Sequence, residues 1–122
     1  MNKKEYEEEF NILRNEFEAC SPIFIAMGDS MRQHLMLEIA AAGMDGINVS
    51  ELSGNSILSR PAVSHHLKVL KDAGLIVPMK KQTKIFYRVN LDMQLNKMIS
   101  LLSDVRKFID KTKTDSCATA EE

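Results

Sequence analysis

The chain lacks tryptophan altogether and has only three prolines, five glycines and two cysteines in 122 residues. Each scarcity excludes something. Cys20 and Cys117 are too few for a disulfide framework and have no Cys-x-x-Cys spacing, so both are expected to be reduced thiols. No apolar run approaches the roughly 20 residues of a membrane span, and the acidic stretch 2–9 has no signal-peptide core, so a cytoplasmic protein without a membrane partner is expected. With so little glycine there is no phosphate-binding loop, and neither a nucleophile elbow nor His-Glu-x-x-His occurs; no enzyme and no cofactor are expected. The 44% hydrophobic content is enough for one small core.

The most informative segment is 59–75, SRPAVSHHLKVLKDAGL. Ser59 is placed to cap a helix, Pro61 falls in its first turn, where a missing N–H is harmless, and Gly74 sits where the chain must leave it. At 100° per residue Val63, Leu67 and Leu70 share one side; Arg60, Ser64, Lys68 and Lys71 share another, with His65 at its edge. Just upstream, Asn48 and Glu51 have capping-box spacing, and Val49 and Leu52 supply the apolar contacts of a very short helix. Short helix, turn and longer helix make a helix-turn-helix over 48–74. Residues 75–90 read as two strands rich in β-branched and aromatic residues around a polar tip at 80–84, a basic wing beside the second helix. The tip has no glycine to supply a positive φ, so it is expected to be longer or looser than a tight hairpin.

The net charge of −1 hides an uneven distribution. Residues 60–90 hold seven basic side chains against Asp72 alone, a local +6, which leaves −7 for the rest of the chain. Such one-sided polarity fits a DNA binder, whose contacting surface must be cationic whatever its other faces carry.

The stretch 24–90 resembles the ArsR/SmtB family of bacterial winged-helix repressors. The residues that carry the likeness are Met27-Gly-Asp-Ser-Met-Arg32, Leu52, the run 58–76 and Tyr87-Arg88 at the end of the wing. The resemblance implies a dimeric transcriptional repressor that leaves its operator when an effector binds; it does not name the effector. The fold expected is α+β, mainly α: a winged helix-turn-helix with a β-hairpin wing and dimerisation helices at both ends. Its partner is double-stranded DNA, with Ser59, Arg60, Ser64, His65, Lys68, Lys80, Lys81 and Lys84 as the contacting set. Arg60, Ser64 and His65 are the base readers and the others mainly phosphate contacts. His66 turns toward the domain as a structural hydrogen-bonder, and His34 is a partly exposed helix residue.

The two ends carry apolar seams. Tyr6, Phe10, Leu13, Phe17 and Cys20 recur at intervals of four and three, and Ser21-Pro22 reads as the end of that helix and the start of the next. The segment 91–111 repeats the pattern, with Leu91, Leu95, Met98, Leu102, Val105 and Ile109. A homodimer interface built from Phe10, Leu13, Phe17, Leu95, Met98, Leu102 and Val105 is expected, with packing onto the chain's own core as the rival reading. Residues 1–111 then form one winged helix-turn-helix domain, with 1–20 and 91–111 as dimerisation helices and 75–90 as the wing. Residues 112–122, rich in Thr, Ser, Ala and acids, read as a disordered tail.

No metal site is expected. Thiolate-based sensors of the resembled family carry a cysteine pair where this chain has Asn48 and Ser50, and its zinc sensors place Asp and His on the C-terminal helix, whereas no histidine follows His66 here. A thiol switch through Cys20 and Cys117 is one alternative mode of regulation; a winged-helix protein-interaction module is the alternative of a different class.

Overall fold

The computed structural model describes residues 1–115 as five α-helices and one small sheet. Helix α1 spans Lys3–Met27 and α2 Ser30–Ala41, followed by a single 3-10 turn, Gly43–Asp45. Strand β1 (Ile47–Asn48) leads into α3 (Val49–Gly54) and α4 (Arg60–Asp72); β2 (Ile76–Lys81) and β3 (Lys84–Val89) form the hairpin, and α5 covers Asp92–Asp115. This mainly helical chain with a three-stranded antiparallel sheet is a winged helix-turn-helix. Two compact units compose it: residues 22–94, and residues 1–21 together with the segment from Leu95 onward.

In the unit 22–94 the core is aliphatic. Ile23 and Ala26 of α1, Leu35 and Ile39 of α2, Leu52 of α3, and Val63, Leu67 and Leu70 of α4 are all buried, as are Leu75 and Ile76 at the start of the wing. The strand order is β1-β3-β2, with Ile47 opposite Tyr87 and Asn48 opposite Phe86 on one side of β3. On the other side the hairpin register runs from Ile76–Val89 to Lys81–Lys84. The two-residue β1 is too short to show alternation, so the sequence pattern missed it; it exists because β3 offers a free edge to the chain entering α3. In the other unit, α1 and α5 bury Cys20 and Leu101. Tyr6, Phe10 and Phe108 form a ring cluster there, with centroids 5.0–6.4 Å apart.

Three expectations are corrected. The first helix does not stop at Ser21-Pro22: α1 runs on to Met27 with Pro22 inside it. A proline costs an interior helix one hydrogen bond, but the buried positions Cys20, Ile23 and Ala26 keep a spacing of three across it, so apolar burial holds both sides in one helix. The break comes instead at Gly28, and α2 is capped by Asp29, whose carboxylate accepts from the Arg32 N–H at 3.0 Å. The wing tip is tight rather than loose. Only Gln82 and Thr83 separate the paired Lys81 and Lys84, and Gln82 takes the positive φ, +56°, that glycine would normally supply. Finally, α5 continues to Asp115, so 112–115 of the expected tail are helical: the hydroxyls of Thr112 and Thr114 donate back to the carbonyls of Ile109 and Asp110. The remainder of the expected tail, including Cys117, lies outside the described residues.

The backbone at Gly46, between the 3-10 turn and β1, has φ +76° and ψ −178°, a region essentially closed to other residues. A Cβ there would lie 2.7 Å from the Tyr87 carbonyl oxygen and 2.9 Å from Met79 Cε. Gly46→Ala is therefore expected to destabilise the protein by roughly 2–4 kcal/mol, combining backbone strain with displacement of β3. Thermal unfolding monitored by far-UV circular dichroism checks this, and a loss below about 0.5 kcal/mol would contradict it.

Candidate nucleic-acid interface

Helix α4 is held at both ends by its own sequence. Ser59, in extended conformation, accepts through its hydroxyl from the Ala62 N–H at 3.3 Å, and Pro61 occupies the first turn. At the other end the Leu75 N–H reaches the Leu70 carbonyl at 3.0 Å and the Gly74 N–H the Lys71 carbonyl at 2.9 Å, with Gly74 at φ +76°. This paired closure is a Schellman motif, and it turns the chain directly into β2. Short helix α3 is capped as its spacing predicted: the buried side chain of Asn48 accepts from the Glu51 N–H at 2.9 Å.

Between its ends, α4 is sorted by burial. Val63, Leu67 and Leu70 are at most 1% exposed, and this fixes the helix roll. Arg60, Ser64, His65, Lys68 and Lys71 are consequently on the exposed side. His66 is half-buried and points toward the domain, as expected. Its Nδ1 lies 3.3 Å from Nη1 of Arg32, whose Nε and Nη2 donate to the carbonyls of Ala26 and Ile25 at 2.7 and 3.1 Å. For Arg32 to donate to it, His66 Nδ1 must be unprotonated, since the guanidinium has donors only. Arg32 thus binds two carbonyls near the end of α1 and links them to α4. Arg32 stands in the family-like stretch 27–32, and no local pattern in the sequence signals this role.

The expected phosphate-contacting lysines differ in how they are engaged. Lys80 and Lys84 are exposed and make no ion pair among the described residues. Lys68 pairs with Asp72 at 2.7 Å, with both side chains more than half exposed. Such exposed pairs are worth little and exchange readily for a phosphate. Lys81 is more committed: its ammonium donates to the Asp45 carbonyl at 2.7 Å and sits 4.8 Å from the centre of the Phe86 ring. Between α3, the start of α4 and the wing lies a groove of about 290 Å³. Ser50, Arg60, Thr83, Lys84 and Tyr87 are among its lining residues. Ser50, Thr83 and Tyr87 were not in the expected set. Only the pairing of β1 with β3 brings them beside Arg60, and no spacing in the sequence signals it.

The positions that would hold soft metal ions in the resembled family contain Asn48, used as a helix cap, and exposed Ser50. Cys20 is 2% exposed. His34 contacts Glu38 at 2.8 Å on the surface of α2. Among the described residues no helix is long and apolar enough to cross a membrane.

Residues 47–77, from β1 through α4 to the start of the wing, match the family model described as bacterial regulatory protein, arsR family. Over this segment the chain is similar to the ArsR family. It is 29% identical over 89 residues to an uncharacterized HTH-type transcriptional regulator of Methanocaldococcus jannaschii, covering 73% of this chain and 97% of that protein. It is 27% identical to the transcriptional repressor SdpR of Bacillus subtilis, over 66% of this chain and 90% of SdpR. Among solved structures, an ArsR-like transcriptional regulator from Rhodococcus superposes with a TM-score of 0.75 at 26% identity, covering 86% of this chain and 93% of that one. By their descriptions these relatives are transcriptional regulators, and this chain is a transcriptional regulator of the DNA-binding kind.

The Asp29 cap gives the structure a pH signature. Hydrogen bonding from the Arg32 N–H, aided by the Arg32 charge, holds the Asp29 carboxyl below its ordinary value of 3.8. A depressed folded-state pKa contributes stability that is complete above the unfolded value and is lost as pH falls through the folded one. Asp29→Asn keeps a capping oxygen but cannot titrate. Its melting temperature is expected to decline less than that of the parent between pH 4 and pH 2; parallel declines would show that the cap is not coupled to folding.

Proposed function

We propose that this chain is a cytoplasmic homodimeric repressor of the ArsR family that binds an inverted-repeat operator and lacks the family's usual metal sites. The observation that carries the reading is the sorting of α4. One face is fully buried, so Arg60, Ser64 and His65 are left on the exposed side beside the unpaired wing cations Lys80 and Lys84. A helix with that face enters a major groove, its arginine reading guanine through two hydrogen bonds, while wing cations hold phosphates. Lys68 joins the phosphate set by exchanging Asp72 for the backbone, and Ser59 sits at the helix N-terminus, where anions are favoured. The description of SdpR as a repressor supports the direction of regulation. Asn48 and Ser50 supply neither thiolate nor imidazole, so the soft-metal switch has no ligands at those positions.

Dimerisation is supported by the apolar side chains that the α1/α5 unit leaves uncovered. Phe17 is 56% and Leu102 64% exposed, and Phe10 and Leu95 are each at least 40% exposed. Leu13, Met98 and Val105 are half-buried beside them. A second copy covering these side chains removes them from water and presents two α4 helices to two half-sites of one operator.

Arg60→Ala is expected to lose roughly 1–3 kcal/mol of discrimination between operator and scrambled duplex. Lys84→Ala is expected to weaken both duplexes alike and to lower the slope of log affinity against log salt by about one unit. Fluorescence anisotropy titrations across a salt series, on an operator obtained by selection from random duplexes, measure both effects; addition of zinc or arsenite to the same complex should leave it bound. An Arg60→Ala variant with unchanged discrimination would assign the reading face elsewhere.

Leu102→Asp tests the dimer. Because Leu102 is exposed in the single chain, the substitution leaves the fold intact but puts an unpaired charge into the subunit contact, at a cost of several kcal/mol. The variant is expected to sediment as a monomer and to lose operator binding in the same step. A dimer of unchanged affinity would remove α5 from the interface.

A further inference from the structure

Lys81 was expected from the sequence to grip a phosphate, yet its ammonium, though exposed, is engaged by the Asp45 carbonyl and the Phe86 ring. We propose that Lys81 is a positioning residue that braces the wing against the 3-10 turn Gly43–Asp45, leaving the phosphate contacts at the wing tip to Lys80 and Lys84.

The wing has a mechanical weakness that such a brace corrects. An isolated two-stranded hairpin is marginally stable in water, and support from β1 reaches only the pairs Ile47–Tyr87 and Asn48–Phe86. Beyond Phe86, the distal part of the hairpin up to the Lys81–Lys84 pair has β2 on one side of β3 and no strand on the other. It also carries Lys80, Lys81 and Lys84, whose like charges repel, and a strained non-glycine residue, Gln82, at φ +56°. Lys81 supplies the missing tie. Its ammonium donates to the Asp45 carbonyl at 2.7 Å, a contact 36 residues apart in sequence, and lies 4.8 Å from the Phe86 ring centre, where the π face favours a cation. One charge of the three is thereby neutralised in part by a carbonyl dipole and a ring.

The anchoring turn is itself fixed. The Gly46 N–H donates to the Gly43 carbonyl at 3.2 Å, and Gly46 packs so closely on the wing that a Cβ would meet the Tyr87 carbonyl and Met79. Turn and wing therefore touch at two levels, Gly46 against Tyr87 and Asp45 against Lys81. The same turn leads through β1 into α3, so the brace sets the pitch of the wing relative to the helix-turn-helix. An ammonium held this way makes no net phosphate contact, and the counterion-release slope distinguishes the two roles, because each phosphate neutralised adds about one unit to it.

The DNA part of this assignment rests on the operator-binding reading above, whereas the brace itself is tested in the free protein. In the unaltered protein, the ε-methylene protons of Lys81 are expected to resonate upfield of those of Lys80 and Lys84 because they lie over the Phe86 ring. Lys81→Met keeps the apolar stem but removes the donor. It is expected to speed amide exchange at Gly46 and Gln82 by roughly three- to tenfold and to weaken duplex binding by a similar factor, with the salt slope unchanged. Lys84→Met, by contrast, should lower the slope by about one unit and leave exchange at Gly46 alone. The proposal is overturned if the Lys81 protons are unshifted, if Lys81→Met leaves exchange unaltered, or if it lowers the slope by about one unit. Failure of the unaltered protein to bind any duplex would reject the operator reading instead, and the ring-shift and exchange results would still decide the brace.

Discussion

Burial of one stripe on α4 is the constraint from which the candidate interface follows. Val63, Leu67 and Leu70 leave almost no surface to water. Burying each such side chain is worth about 1.5–3 kcal/mol, a large fraction of the net stability of a domain this size. A rotation of the helix that exposed them would forfeit most of that gain. The roll of α4 is therefore fixed by the core, and the identity of its exposed residues follows from the 3.6-residue period. A rigid helix is also what base reading requires, since a side chain must arrive at a base edge in one geometry.

The elements around α4 convert that roll into a fixed orientation. Arg32 reaches two carbonyls of α1 and the ring of His66 with one guanidinium, so α1, α2 and α4 share a single hydrogen-bonded junction. The Schellman closure at Gly74 sends the chain straight from α4 into β2, and the Asn90 N–H returns from the end of the hairpin to the Leu75 carbonyl at 3.0 Å. The wing is thus tied at its base to the helix whose exposed face it flanks. These contacts are polar and directional, whereas the core under them is aliphatic and fluid in its demands. Orientation in this unit comes from the former and stability from the latter.

The α1/α5 unit follows a different logic. Its seams have helical spacing, yet large side chains on them stay in contact with water. Burial inside one chain is incomplete because two helices can cover only one stripe of each other, and a heptad-like pattern with additional apolar positions such as Ile99 exceeds that width. In the proposed homodimer a second copy of the chain presents the same apolar surface in return.

Local chemistry was legible in the residues by themselves. The caps at Asn48 and Ser59, the glycine stop at Gly74, the apolar side of α4 and the two-stranded wing all depend on neighbours within four or five positions, where backbone hydrogen bonding and side-chain period decide the outcome. The basic region 60–90 was equally plain, because charge needs only counting. Contacts distant in sequence were not legible. Pro22 lies inside a helix because burial on both sides outweighs its missing hydrogen bond. Gln82 adopts a positive φ because strand register leaves two residues for the turn. Strand β1 exists because β3 has an edge to fill. Lys81 faces Asp45 because folding brings a carbonyl and a ring within reach of an ammonium that the sequence presented as one more surface charge. Each of these is settled by the free energy of a contact whose second partner the local sequence does not contain, and only the tertiary structure supplies it.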